Sequence, residues 1–163
     1  MSINLLTDIF RSKRALKIPP EIEQRFKEEE LCRRCGLCCY GSVRYKGRLV
    51  IIKELPCKYL ELDAGGKATC RIYPDRHQLA PWCQRVERKT VEAGLFPDNC
   101  PYVQGIEGYQ GKVVLAGEEK KKFYRWLSEN INPQPQPEYL EEEVWRNFLA
   151  KLGIYYNTTA QLE

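Results

Sequence analysis

Apolar and polar residues follow one another along this chain in several rhythms, and each rhythm predicts a different element. Near the start, Ile3, Leu6, Ile9, Phe10 and Leu16 recur at roughly helical intervals among Arg11, Lys13, Arg14 and Lys17. That spacing predicts an amphipathic helix with a basic face. Covering the core is the favoured use of such a stripe, ahead of docking on a partner. Pro19-Pro20 interrupts the pattern, and Pro20 suits the first position of a short charged helix over residues 21–30.

Two β-patterned stretches come next. Val43-Arg-Tyr-Lys-Gly-Arg-Leu-Val-Ile-Ile, rich in β-branched and aromatic residues, predicts a hairpin that turns near Lys46-Gly47. Residues 60–73 repeat the design around Gly65-Gly66, which accept the positive φ angles of a tight turn. Cys57 and Cys70 then fall on either side of the second turn. Residues 84–95 return to a helical rhythm, with Val86, Val91 and Leu95 on one side, Gly94 near the end and Pro97 beyond it. Cys83 is expected at the N-terminus of that helix, where free N–H groups and the dipole favour a thiolate.

After Cys100 the cysteines stop. Residues 112–116 predict a short strand, and residues 118–131 a helix bearing Phe123, Trp126, Leu127 and Ile131. Pro133-Gln-Pro-Gln-Pro137 predicts a stiff extended spacer. A last helix over residues 138–152 carries Leu140, Val144, Trp145, Phe148, Leu149 and Leu152 on one flank. That flank is expected to pack on the chain's own core or, alternatively, to dock on a protein partner or a second copy. The expected organisation is a helical segment (1–31), a cysteine-cluster metal-binding core (32–103), a strand and helix completing the domain (104–132), the proline-rich spacer (133–137), and a helix with its tail (138–163). The fold class is α+β, a small metal-stapled core with short β-hairpins flanked by helices at both ends.

A length of 163 residues fits one compact domain with appendages. Hydrophobic residues at 43% and charged residues at 29% are ordinary for a globular protein, and no apolar run reaches the roughly 20 residues of a membrane span. Net charge is +4, but basic residues are interleaved with acids, as in Glu118-Glu-Lys-Lys-Lys, so a nucleic-acid face is disfavoured. The first residues lack a basic start followed by an apolar segment, so a cytoplasmic location is expected. There thiols stay reduced, and grouped cysteines indicate metal or catalysis ahead of disulfides.

The chain has eight cysteines: Cys32, Cys35, Cys38, Cys39, Cys57, Cys70, Cys83 and Cys100. All eight are expected to be metal ligands, since two four-thiolate sites would consume them all. Cys32, Cys35 and Cys38 form an evenly spaced triple, the pattern that, completed by a distant cysteine, holds a [4Fe-4S] cluster in bacterial ferredoxins. Gly36 lets the loop curl so that amides point at sulfur. Cys100 precedes Pro101, as the remote ligand of ferredoxins often precedes proline. Cys38 and Cys39 are adjacent and expected to diverge, serving different centres. Zinc is the rival metal, because hairpin-borne cysteines such as Cys57 and Cys70 are usual in structural zinc sites. Ligand spacing favours iron–sulfur for the leading run and leaves the second centre open.

The run C-R-R-C-G-L-C-C, then Cys57-Lys-Tyr-Leu, Cys70-Arg-Ile-Tyr-Pro-Asp-Arg, Cys83 and Cys100, resembles the YkgJ-type cysteine-cluster proteins, described as having a putative zinc- or iron-chelating domain. The likeness covers about residues 31–103. In that family the arginine after the I-Y element is commonly followed by proline and soon by cysteine, whereas this chain has Arg76-His-Gln-Leu-Ala-Pro-Trp-Cys83. The resemblance implies a cysteine-coordinated metal. A related motif occurs in flagellin lysine N-methylases, much longer proteins, where it looks like an iron–sulfur site used in methyl transfer.

His77, the single histidine, is a candidate replacement ligand or proton donor, with a surface or supporting role favoured. Arg76 is a candidate hydrogen-bond donor to a negatively charged cluster. Cys83 with His77 is a minor candidate for a nucleophile pair, behind metal ligation. Phosphate-loop, dinucleotide and serine-hydrolase motifs are lacking. The leading expectation is a metal or cluster carrier with an electron-transfer or partner-dependent redox role. The alternatives are cluster-assisted group transfer and a zinc-stabilised module that docks protein or RNA. The small-molecule substrate is left open.

Overall fold

The computed structural model describes residues 15–155. Apart from Leu16, the expected first helix lies outside the described residues. Helices and two separate two-stranded antiparallel sheets make up the fold, in agreement with the α+β expectation.

The first hairpin joins β1 (Tyr40–Tyr45) to β2 (Arg48–Pro56). Lys46 at φ 49° and Gly47 at φ 83° make the turn, because paired positive φ angles match the right-handed twist of the strands. The register slips between Tyr40 and Ser42, leaving a bulge beside Gly41. In β2, Leu49, Val50, Ile51, Ile52 and Leu55 are all buried. Such a run loses the alternation of a half-exposed strand because both faces of the hairpin are covered. Leu49 belongs to an apolar cluster with Ile18, Ile22, Val91, Leu95, Phe96, Val103 and Ile106. Val43, Val50, Ile52 and Leu55 belong to a larger one with the C-terminal helices.

The second hairpin pairs β3 (Leu60–Leu62) with β4 (Ala68–Cys70), Leu60 facing Cys70. Asp63 Oδ1 accepts the N–H groups of Gly65 and Lys67 at 2.9 Å each, closing the turn as expected from Gly65-Gly66.

Helical expectations fare unevenly. Residues 21–30 do not form one helix: α1 (Pro20–Glu23) gives way to 3₁₀ turns over Gln24–Lys27 and Glu29–Leu31, separated by Glu28 in an extended conformation. A second short helix, α2 (Arg76–Leu79), precedes Cys83. The helix expected over residues 84–95 shrinks to α3 (Arg88–Glu92). Thr90 explains the late start. Its side chain takes the N–H of Glu87 at 3.0 Å and donates to the carbonyl of Arg85 at 2.6 Å, fixing residues 85–87 as an entry loop. Residues 112–116 are not a strand; Lys112 and Val113 make single parallel bridges, to Pro97 and Val50. The chain threads there between Phe96 and β2 so tightly that a Cβ on Gly111 would lie 1.8 Å from the Phe96 carbonyl oxygen.

Two longer helices close the larger cluster. α4 (Gly117–Asn130) buries Phe123 and Leu127, and α5 (Glu142–Lys151) buries Trp145, Phe148 and Leu149. Each begins with two glutamates, which suit the positive end of the helix dipole. α5 starts four residues later than residue 138. Its apolar flank lies on the chain's own core, so of the two fates expected for it the structure takes the first; docking on a partner is not needed to cover it. Trp145 Nε1 donates to the Pro133 carbonyl at 3.0 Å, and Lys58 N–H donates to the Tyr139 carbonyl at 2.7 Å. These bonds tie the proline-rich segment to α5 and the following turn to the second hairpin. Among the described residues no helix is long and apolar enough to cross a membrane.

Candidate metal centre

The leading cysteines lie on a curled loop. Cys32 N–H donates to Glu29 O at 3.3 Å, and Arg34, at φ 56°, points its own N–H at the Cys32 sulfur at 3.4 Å. Gly36 sits at φ 76° with Ala68 so near that a Cβ would come within 2.8 Å of the alanine methyl. Arg34 and Ala68 are joined twice, Arg34 Nε donating to Ala68 O and Ala68 N–H to Arg34 O, both at 2.8 Å. The loop is thereby fastened to β4. A 3₁₀ turn over Leu37–Cys39 ends it.

From that turn the other cysteines are positioned by backbone bonds. Cys57 N–H donates to Cys39 O at 2.8 Å, at the far end of β2, and β4 delivers Cys70 opposite Leu60. Cys83 follows a turn in which its N–H donates to Ala80 O at 2.9 Å. Trp82, stacked on Tyr59, donates Nε1–H to the Cys57 sulfur at 3.4 Å. Cys38, Cys39, Cys57, Cys70 and Cys83 border one cavity of about 390 Å³, whose wall also includes Arg76, Trp82, Lys112 and Tyr139. Cys100 approaches from elsewhere. Tyr102, two residues on, donates its hydroxyl to Glu28 O at 2.6 Å, which brings this segment against the entrance to the cysteine loop.

All eight cysteines are free thiols. Among the described residues no group of three or more His, Cys, Asp or Glu side chains stands at ligating geometry. The donor set nonetheless suits a thiophilic metal, and its electrostatics explain why a cation is needed to hold it ionised. Burial pushes Cys83 and Cys100 up to about 11 each. Arg76 opposes this at Cys83, while neighbouring Cys38, Cys70 and Cys57 add to it. At Cys100 the Tyr102 N–H opposes it, and Cys38, Cys35 and Cys32 add to it. Cys32 is raised chiefly by burial, against its bond from Arg34 N–H, with Cys38 and Cys35 contributing. Each thiolate formed makes the next costlier, and a bound cation reverses that sign.

Cys38 and Cys39 are joined by a 3₁₀ turn and not by the extended backbone on which their expected divergence rests. The adjoining Cys39 thiol lowers Cys38 against the effect of burial, while Cys38 and burial raise Cys39. Cys38 is exposed and borders the cavity.

The expectation for Cys83 at a helix N-terminus is corrected. It lies five residues before α3, so no helix end stabilises its thiolate, and burial raises it instead. His77 does not border the cavity, and its Nδ1 is buried without a hydrogen-bond partner; burial lowers its basicity, with Arg76 and Arg85 contributing. Arg76 lies on the cavity wall, stacks 3.9 Å from the Tyr73 ring centre and pairs with Glu29 at 3.2 Å. Sequence reasoning missed Lys112 and Trp82. Lys112 is only 7% exposed and borders the cavity beside Cys38 and Cys39, which oppose the lowering of its basicity by burial. Its signal was a lysine opening the apolar run Val113-Val-Leu-Ala; that of Trp82 was its place directly before Cys83.

Fold and site together define a cysteine-rich α+β domain with reduced thiols gathered around a cavity. The chain belongs to the same family as the uncharacterized protein MJ1479.1 of Methanocaldococcus jannaschii, with 35% identity over 124 residues that cover 76% of this chain and 80% of that one. It is also similar to a UPF0260 protein of Rhodobacter capsulatus, 33% identical over 84 residues covering 49% of this chain and 54% of the relative. A UPF0260 protein of Rhodopseudomonas palustris is 30% identical over 96 residues, 55% of this chain and 54% of the relative. The chain thus spans about half the length of these two relatives. No family model and no solved structure matches it.

Proposed function

We propose that this chain is a metal-binding protein whose eight-cysteine core carries an iron–sulfur cluster, zinc, or both, with [4Fe-4S] favoured at the leading run. The observation that carries this reading is the gathering of five reduced thiols, Cys38, Cys39, Cys57, Cys70 and Cys83, around one cavity, with the Arg34 amide aimed at the Cys32 sulfur on the adjoining loop. Backbone N–H groups directed at sulfur stabilise thiolates that would otherwise repel one another. The YkgJ-type resemblance of residues 31–103 points to the same donor set. A cluster held there would supply one-electron chemistry, and the exposed Cys32, Cys35 and Cys38 would lie on the side open to a redox partner. A cytoplasmic setting, where the thiols stay reduced, belongs to this proposal.

The cavity of about 390 Å³ favours one second reading, cluster-assisted group transfer, because it leaves room for a small substrate beside the sulfurs. Purification without air tests the main reading. Iron with acid-labile sulfide, or zinc, in stoichiometric amount is the expected result. Protein that is free of metal, or whose thiols are paired as disulfides, sinks it.

A further inference from the structure

We infer that the eight cysteines form two distinct four-thiolate centres abutting at Cys38 and Cys39: Cys32, Cys35, Cys38 and Cys100 in one, Cys39, Cys57, Cys70 and Cys83 in the other. This rests on the metal-binding reading and deepens it. Cavity lining separates the sets first. Cys39, Cys57, Cys70 and Cys83 border the cavity, and Cys32, Cys35 and Cys100 do not; Cys38 alone of its set forms part of the wall. Backbone connections separate them again. Cys39 and Cys57 are bonded to each other, and β3 leads from Cys57 to the partner of Cys70. Cys100 is instead drawn to the start of the leading loop by the Tyr102 bond to Glu28.

Lys112 fits the junction. Four thiolates around a divalent ion carry a net charge of about −2, and two such centres back to back repel unless a cation lies between them. A buried ammonium without a carboxylate partner is costly unless the groups facing it are negative. Cys38 and Cys39, one from each centre, border the same cavity as Lys112.

Cobalt(II) titration of the reduced chain tests the assignment whatever the native metal, because four-thiolate cobalt has strong, countable absorption bands. The wild-type protein is expected to saturate at about two equivalents, each with the full four-thiolate spectrum. Cys70→Ser and Cys100→Ser should each leave one full-strength centre. Cys35→Ser combined with Cys100→Ser should still leave one, whereas Cys70→Ser combined with Cys100→Ser should leave none. Saturation of wild type at one equivalent overturns the two-centre assignment and needs no variant. So does a same-set pair that abolishes both centres, or a cross-set pair that keeps one, in variants whose helical circular dichroism is native. A wild-type chain that takes up no cobalt and contains no metal when isolated overturns the metal-binding reading itself, a result distinct from a wrong partition.

Discussion

Replacing Lys112 with methionine should change sign between the loaded and the empty protein. Lys112 is 7% exposed, lines the cavity with Cys38 and Cys39, and makes no salt bridge among the described residues. With the metal removed and the pH lowered far enough to protonate Cys38, the side chain is a buried cation without compensation. Exchange for an apolar group of similar length then stabilises the fold by about 1–4 kcal/mol. With metal bound the thiolates are negative. Unit charges about 4 Å apart at an effective dielectric of about 20 attract by about 4 kcal/mol. Water entering the open cavity reduces this to about 1–3 kcal/mol, a loss of metal affinity of roughly 5-fold to 150-fold. Urea unfolding of the reduced, chelator-stripped protein at that lowered pH measures the first effect; competition against a coloured chelator measures the second. Lys112→Arg should retain the metal nearly as well as wild type. Unchanged retention in Lys112→Met, or loss of stability in both forms, refutes the charge argument.

Other expectations are more local. Trp145→Ala removes a fully buried ring and its bond to the Pro133 carbonyl, and should cost about 3–5 kcal/mol in urea unfolding with metal content little changed. Gly36→Ala forces a side chain into φ 76° against Ala68; the backbone alone costs about 1–2 kcal/mol, and metal retention should fall with it in the chelator assay. Asp98 gives a pH signature. Burial raises its carboxyl, but the Gly111 N–H and Arg48 outweigh that and hold it below the ordinary 3.8. A depressed carboxylate contributes stability in full above its unfolded value and loses it as pH falls through the folded one. Thermal melts should therefore show Asp98→Asn destabilised at neutral pH and converging with wild type below about pH 3.8.

The local signals in the sequence were uneven guides. Lys46-Gly47 and Gly65-Gly66 announce both hairpins because their turns demand positive φ, and α4 is legible because Phe123 and Leu127 keep helical spacing on one buried face. Residues 84–95 mislead because Val86, Val91 and Leu95 imitate a helical stripe while Thr90 spends its hydroxyl fixing the preceding loop. The run Val113-Val-Leu-Ala imitates a strand but finds only single bridges, since close packing at Gly111 leaves no length for pairing. At the site the cysteine types and spacing are plain, yet the approach of Cys100 depends on a bond between Tyr102 and Glu28, 74 residues apart. No local pattern reports such a contact. Lys112 is hidden for the same reason, since its meaning comes from what the fold sets opposite it.

The larger apolar cluster, with α4 and α5 closed over the first hairpin, contains no cysteine. On the metal-binding proposal, building the scaffold and loading it would then be separable events. A newly made chain would have a framework before its cargo arrives, and a chain stripped by oxidants would keep enough architecture to be refilled.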